Sequence, residues 1–133
     1  MSMKTILLIE DNPAMLDNLT EYFEMEGFKI LIANNGKKGI ELAREFIPDL
    51  IICDVLMPQM DGHEVLHILL DIAKTSEIPF IFSTSMSEKI DRAGALALGA
   101  DEHIVKPFEL KVLLNMSKKL IESGSKRHIS ENK

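Results

Sequence analysis

The sequence predicts an α/β fold, (βα)5, in which a doubly wound, parallel five-stranded sheet carries helices on both faces. Three observations lead there. Five short apolar runs recur along the chain: Ile6-Leu7-Leu8-Ile9, Ile30-Leu31-Ile32, Leu50-Ile51-Ile52-Cys53, Phe80-Ile81-Phe82 and Ile104-Val105. They are continuous rather than alternating, which is the pattern of strands covered on both faces. Between them lie segments with apolar residues at helical spacing, so strand and helix alternate five times. Right-handed crossovers turn that alternation into a parallel sheet.

Each helix carries its own punctuation. After the first run, Asn12 is an N-cap residue and Pro13 occupies the first helical position, where a missing N–H is harmless. Leu16, Leu19 and Phe23 then share a face, and Gly27 ends the helix. The second helix places Ile40, Ala43 and Ile47 on one face and stops before Pro48. Asp61 and Glu64 have the spacing of a capping box for a third helix through Val65, Leu69 and Ile72. Ser87 is expected to cap a fourth helix that ends at Gly99. The fifth begins after Pro107 and is expected to bury Leu110, Leu113, Leu114 and Leu120.

At 133 residues the chain has the size of one domain. Apolar residues make up 46% and charged residues 27%, a soluble composition. A formal net charge of −6 argues against a nucleic-acid surface, which needs clustered Lys and Arg. The single Cys53 excludes an intrachain disulfide, and its apolar surroundings suit a buried thiol in a reducing compartment. No apolar stretch approaches the roughly 20 residues that span a bilayer. The first apolar run is too short for a signal peptide, so a cytoplasmic location with no membrane contact is expected. Apolar periodicity stops near Ser123. The expected organisation is a domain over residues 1–122 followed by a flexible tail or linker over 123–133.

In open parallel sheets ligands bind beyond the carboxyl ends of the strands, where the strand order reverses. The residues at those ends form a coherent set: Glu10 and Asp11, then Asp54, then Thr84 and Ser85, then Lys106. Three carboxylates meeting in one crevice repel one another unless a cation or a lysine intervenes. Mg²⁺ suits such a site, since it takes oxygen ligands and keeps waters for a substrate phosphate. A lysine and a hydroxyl nearby can hold phosphoryl oxygens. Singly, each residue has a plainer role: helix-start charge for Glu10-Asp11, a cap for Thr84, surface charge for Lys106. Their joint placement at four different strand ends favours a phosphate and metal site.

These motifs resemble the receiver domains of two-component response regulators. The likeness rests on Ile9-Glu10-Asp11, on Asp54-Val55-Leu56-Met57-Pro58 with Asp61-Gly62, on Phe82-Ser83-Thr84-Ser85, and on Gly99-Ala100-Asp101 leading to Lys106-Pro107-Phe108. It covers residues 4 to about 122. The resemblance implies a flavodoxin-like fold with strand order 2-1-3-4-5. It implies that Asp54 is the phosphoacceptor, with Lys106 and Thr84 as its catalytic companions. Glu10, Asp11, Asp54 and the Leu56 backbone carbonyl would arrange Mg²⁺, the Glu10 side through water. Thr84 and His103 occupy the switch positions, and the Lys106–Pro107 bond is expected to be cis. The implied activity is that of a phosphoacceptor that supports its own phosphotransfer and slow autodephosphorylation, not of an enzyme. Phosphorylation, from a sensor histidine kinase, a phosphotransfer protein or acetyl phosphate, would switch the face made by the fourth helix, fifth strand and fifth helix. A downstream effector protein or domain would read that face, and a phosphorylation-dependent homodimer is a further expected assembly. The alternative is a receiver-like interaction module that phosphorylation does not regulate.

Two positions depart from the family pattern. His103 stands where Tyr or Phe is usual, and an imidazole is smaller and can titrate near neutral pH. Ser85 replaces the usual Ala. Leu56 and Met86 flank the expected approach of water to the acyl phosphate, and neither can orient a water, so a long-lived phosphorylated state is expected.

Other signals point elsewhere. His63-Glu64-Val65-Leu66-His67 matches a zinc-protease pattern, with Glu88 as a conceivable third ligand. Glu64 has a simpler task as the capping partner of Asp61, and no zinc is expected there. A haloacid-dehalogenase-type phosphatase would need a second acid two residues past Asp54, where Leu56 cannot transfer protons. A flavodoxin or nucleotide-binding module would need a Gly- or Ser/Thr-rich loop after the first strand, where Glu10-Asp11 would repel phosphate.

Overall fold

The computed structural model describes residues 3–85 and 92–125. Five strands and five helices alternate: β1 (Thr5–Ile9), α1 (Pro13–Met25), β2 (Lys29–Ala33), α2 (Gly36–Phe46), β3 (Leu50–Asp54), α3 (Gly62–Leu70), β4 (Phe80–Ser85), α4 (Arg92–Ala97), β5 (Glu102–Lys106) and α5 (Leu110–Ser123). All strand pairs are parallel, in the order β2-β1-β3-β4-β5. The fold is flavodoxin-like, as expected. Among the described residues no helix is long and apolar enough to cross a membrane.

Two apolar layers sandwich the sheet. Side chains alternate across each strand. Leu7, Ile9, Ile51, Cys53, Phe80 and Phe82 therefore pack with Ala43, Val65, Leu66 and Ala95 on one side. Ile6, Leu8, Ile52, Ile81 and Ile104 pack with Leu16, Phe23, Leu113 and Leu120 on the other. Each fully buried Leu, Ile, Val or Phe among them contributes about 1.5–3 kcal/mol, so the central strands anchor the molecule. Edge position changes the pattern. Ile32 of β2 and Val105 of β5 are 46% and 40% exposed, because an edge strand has a neighbour on one side only and its helices cover it incompletely.

The helix signals operate as expected, with local corrections. Asn12 accepts the Met15 N–H at 3.0 Å, Pro13 opens α1, and Gly27 takes φ 95° just past its end. Asp61 and Glu64 form both bonds of a capping box at the start of α3. Ile47 was expected on the buried face of α2, but it is the C-cap, in a left-handed conformation at φ 44°, and is 38% exposed. Pro48 forces that exit by disfavouring helix at the residue before it. Ile72 lies beyond the end of α3, half-buried, and Leu110 at the start of α5 is also only half-buried. α5 continues through Ser123, and Ser125 is buried, its hydroxyl donating to Asp101 Oδ1 at 2.9 Å. Gly99 closes α4 with φ 109°, whereas the proposed cap Ser87 lies outside the described residues.

Candidate functional site

The strand order sets β1 beside β3, β4 beyond β3, and β5 at the edge, with all carboxyl ends at one rim. The register is tight there: Ile9 pairs with Cys53, Asp54 with Ser83, and Ser85 with Lys106. Asp54 is the last residue of β3, buried at 6% exposure. The following turn is pinned on both sides, since Val55 N–H donates to Ser83 O at 3.1 Å and Gly62 N–H donates to Val55 O at 2.8 Å. Gly62 has to be glycine at this crossing, because a Cβ would sit 2.5 Å from the Asp54 carbonyl oxygen. Glu10, one residue past β1, is 3% exposed, and its own N–H continues the β1–β2 ladder to Ala33 O.

Ligand atoms of Glu10, Asp11 and Asp54 lie within 4.8 Å of one another. Lys106, at the end of β5, donates to Glu10 Oε1 at 2.7 Å and reaches Asp54 Oδ1 at 3.4 Å. Glu10 Oε2 accepts the Asn12 N–H at 3.1 Å. Burial by itself would lower the Lys106 pKa. The hydrogen bond to Glu10 and the charges of Glu10 and Asp54 together outweigh it, and the ammonium is held above its ordinary value. The neighbouring Cys53 thiol is pushed well up by burial, with the negative charges of Asp54, Glu10 and Asp61 adding to the effect. It is an inert thiol facing the core.

Among the described residues, three carboxylates share this cluster with one ammonium. Like charges about 4 Å apart repel by ~4 kcal/mol at an effective dielectric near 20, so a divalent cation with oxygen ligands fits what the residues lack. The donors are all hard oxygens, the ligand type Mg²⁺ takes, and waters or phosphate oxygens can complete its shell. Leu56 stands beside this cluster with its side chain 65% exposed.

Thr84 and His103 form a separate pair on β4 and β5. Thr84 is wholly buried, and its Oγ1 lies 2.8 Å from His103 Nε2. This bond was not foreseen. A Thr and a His nineteen positions apart carry no local signal, and only the strand register makes them neighbours. A lysine among the carboxylates is expected from their crowding, but that Lys106 bonds Glu10 more closely than Asp54 is a feature of the packing alone. The Lys106–Pro107 bond is cis.

The HEVLH segment has other occupations. Glu64 caps α3, and the His63 ring packs edge-on against Phe82 at 5.1 Å. Met86 and Glu88 lie outside the described residues.

Residues 6–118 match the family described as the response regulator receiver domain. Protein PilH of Pseudomonas aeruginosa is 34% identical over 112 residues, covering 84% of this chain and 93% of PilH. The transcriptional regulatory protein AfsQ1 of Streptomyces coelicolor is 38% identical over 111 residues, covering 84% of this chain and 48% of AfsQ1. The chain thus spans about half, or less, of the length of several relatives it matches. Among solved structures, the receiver domain of sensor histidine kinase PA1611 from Pseudomonas aeruginosa PAO1 superposes with a TM-score of 0.83 at 24% identity, covering 92% of this chain and all of that one. That structure has a magnesium ion coordinated in its active-site cleft.

Proposed function

This chain belongs to the response regulator receiver domain family, and from that premise we propose that it accepts a phosphoryl group on Asp54 with the help of Mg²⁺. One observation carries the reading: a buried strand-end carboxylate lies beside two further carboxylates and within 3.4 Å of a lysine ammonium. Glu10, Asp11 and Asp54, with the Leu56 carbonyl, would hold the metal, as the magnesium in the PA1611 cleft also suggests. Bound there, Mg²⁺ supplies positive charge for the phosphoryl oxygens and the attacking carboxylate.

The remaining work falls to the chain itself. An Asp54 carboxylate oxygen attacks phosphorus, a P–O bond forms, and the bond to the donor breaks: P–N for a kinase phosphohistidine, P–O for acetyl phosphate. Lys106 turns its ammonium from Glu10 toward a transferred oxygen. Glu10 keeps Lys106 charged and in place until then. The Thr84 hydroxyl donates to another phosphoryl oxygen, and the change passes through His103 to the face of α4, β5 and α5. Mostly this is positioning plus electrostatics. The donor is a sensor histidine kinase or phosphotransfer protein, and the reader is an effector protein or domain or a second copy of the chain. The role is that of a phosphoacceptor and not of a turnover enzyme. With an apolar, exposed Leu56 two residues past Asp54, unable to orient a water, its phosphorylated state is long-lived.

Acetyl phosphate plus Mg²⁺ should add the mass of one phosphoryl group to the intact chain, and Asp54→Asn should add none. A full gain in that variant would remove Asp54 from its role. No gain in the parent would favour an interaction module that phosphorylation does not control.

A further inference from the structure

A buried hydroxyl seldom goes unpaired. Thr84 has no exposed surface, and among the described residues the partner of its Oγ1 is His103 Nε2 at 2.8 Å. Phe82 pairs with His103 in register and Thr84 with Val105. Thr84 and His103 are therefore diagonal neighbours on one face of the sheet. The direction of the bond follows from what each atom can do. A hydrogen on Nε2 would donate to Oγ1, and among the described residues the Thr84 O–H would then have no acceptor. An O–H that donates to a bare Nε2, with the ring hydrogen of neutral His103 on Nδ1, satisfies both atoms.

The phosphoacceptor reading, on which this inference rests, asks the same O–H to turn to a phosphoryl oxygen. We propose that His103 is a positioning residue that engages the Thr84 hydroxyl in the unphosphorylated chain, so that switching is the transfer of one hydrogen bond from His103 Nε2 to a phosphoryl oxygen. The hydroxyl has a single hydrogen and cannot serve both acceptors. Phosphorylation therefore strips Nε2 of its donor, and β5 learns of the event through an imidazole left unpaired. A phenylalanine at this position has no acceptor, so the exchange belongs to the imidazole. It also makes the resting state a competitor of the phosphorylated one: the ligand must displace His103 before it gains Thr84. By linkage, removing the competitor tightens binding of any phosphoryl mimic by the strength of the displaced bond.

The test uses the full chain, Mg²⁺ and beryllofluoride, a phosphoryl mimic that coordinates an aspartate carboxylate. In ¹⁵N-labelled parent protein, kept in mildly alkaline buffer, the ring nitrogens of His103 should report the hydrogen on Nδ1. The Nε2 resonance should then shift when beryllofluoride is added. His103→Phe should bind beryllofluoride about fivefold more tightly than the parent, the equivalent of one net hydrogen bond. His103→Gln, whose carboxamide oxygen can accept the same bond, should stay close to the parent. A general loss of packing at β5 would move both variants alike. The proposal is overturned if free His103 carries its hydrogen on Nε2, or if the Phe variant binds no more tightly than the parent. Failure of the parent to bind beryllofluoride at all would instead overturn the phosphoacceptor reading, and this one with it.

Discussion

Lys106 is one cation among three carboxylates, and its distances show how it divides its attention: 2.7 Å to Glu10 and 3.4 Å to Asp54. Asp11 has no cation contact among the described residues, although it shares the cluster. Removing it should relieve repulsion in metal-free buffer. Asp11→Ala is expected to raise metal-free stability by about 1 kcal/mol, the size of one exposed like-charge repulsion at about 4 Å in water. The same variant should lose most of the stabilisation that Mg²⁺ confers, which thermal melts with and without Mg²⁺ would register. A fall in the metal-free melting temperature would contradict the crowding argument. Lys106→Met should act in the opposite sense, leaving Glu10 and Asp54 buried without their ammonium, with a loss of about 3 kcal/mol near neutral pH. The sign of its pH dependence follows from the raised Lys106 pKa. A group whose pKa is higher folded than unfolded lends stability that is complete below its unfolded value and disappears as pH climbs through the folded one. The gap between parent and Lys106→Met should accordingly be full at pH 7 to 9 and close above the ordinary lysine value of 10.5. Urea titrations across that range would check it, and a gap that persists undiminished at the alkaline end would count against the ion pair as its source.

The β3–α3 connection is where element geometry bears most directly on the chemistry. Its turn must bring the α3 N-terminus back over Asp54, and Gly62 passes so close that a Cβ would meet the Asp54 carbonyl oxygen at 2.5 Å and Val55 Cα at 2.9 Å. Both obstacles are backbone, which cannot rotate away. Gly62→Ala is expected to cost about 2 kcal/mol, as overpacking does. It should also weaken Mg²⁺ binding, because the strain falls on the backbone of Asp54, whose carboxylate belongs to the acidic cluster. An unchanged urea midpoint would show that the turn has more slack than these distances allow. The helix ends show which local rules hold without help. Asn12-Pro13 and Asp61-x-x-Glu64 are short patterns whose bonds close within four residues, so they were legible in the sequence. Ile47 obeyed the helical period on paper, yet the following proline turned it out to solvent.

Across the whole molecule, the clasp below the sheet matters as much as the site above it. Asp101 is 1% exposed and accepts the Phe80 N–H at 2.9 Å through Oδ2 and the Ser125 hydroxyl at 2.9 Å through Oδ1. It joins the start of β4 to the entry of β5 and to the chain leaving α5. Ser125→Ala should lower stability by about 1 kcal/mol, and Asp101→Ala by about 2–3 kcal/mol, since the latter also strands a buried N–H. The expected ranking, with Asp101→Ala the worse, can be read from two-state thermal or urea unfolding. Equal and negligible effects would mean that the segment after α5 is not held by this contact.

The sequence by itself determined the kind and order of the elements, because the continuous apolar runs and the helical period are properties of neighbouring residues. It also determined which residues stand at the strand ends, since Glu10, Asp11, Asp54, Thr84 and Lys106 directly follow or close those runs. What only the tertiary structure decided is who meets whom. Lys106 bonds Glu10 across 96 positions, and Thr84 bonds His103 across 19. No local pattern encodes either contact, because each depends on which strands the crossovers make adjacent and on the register in which they lock. Edge exposure of Ile32 and Val105 belongs to the same class: their apolar runs match those of the central strands, and only the order β2-β1-β3-β4-β5 places them at the margins. Periodicity is written in sequence, whereas adjacency is settled when the sheet closes its hydrogen bonds and its two apolar layers at once.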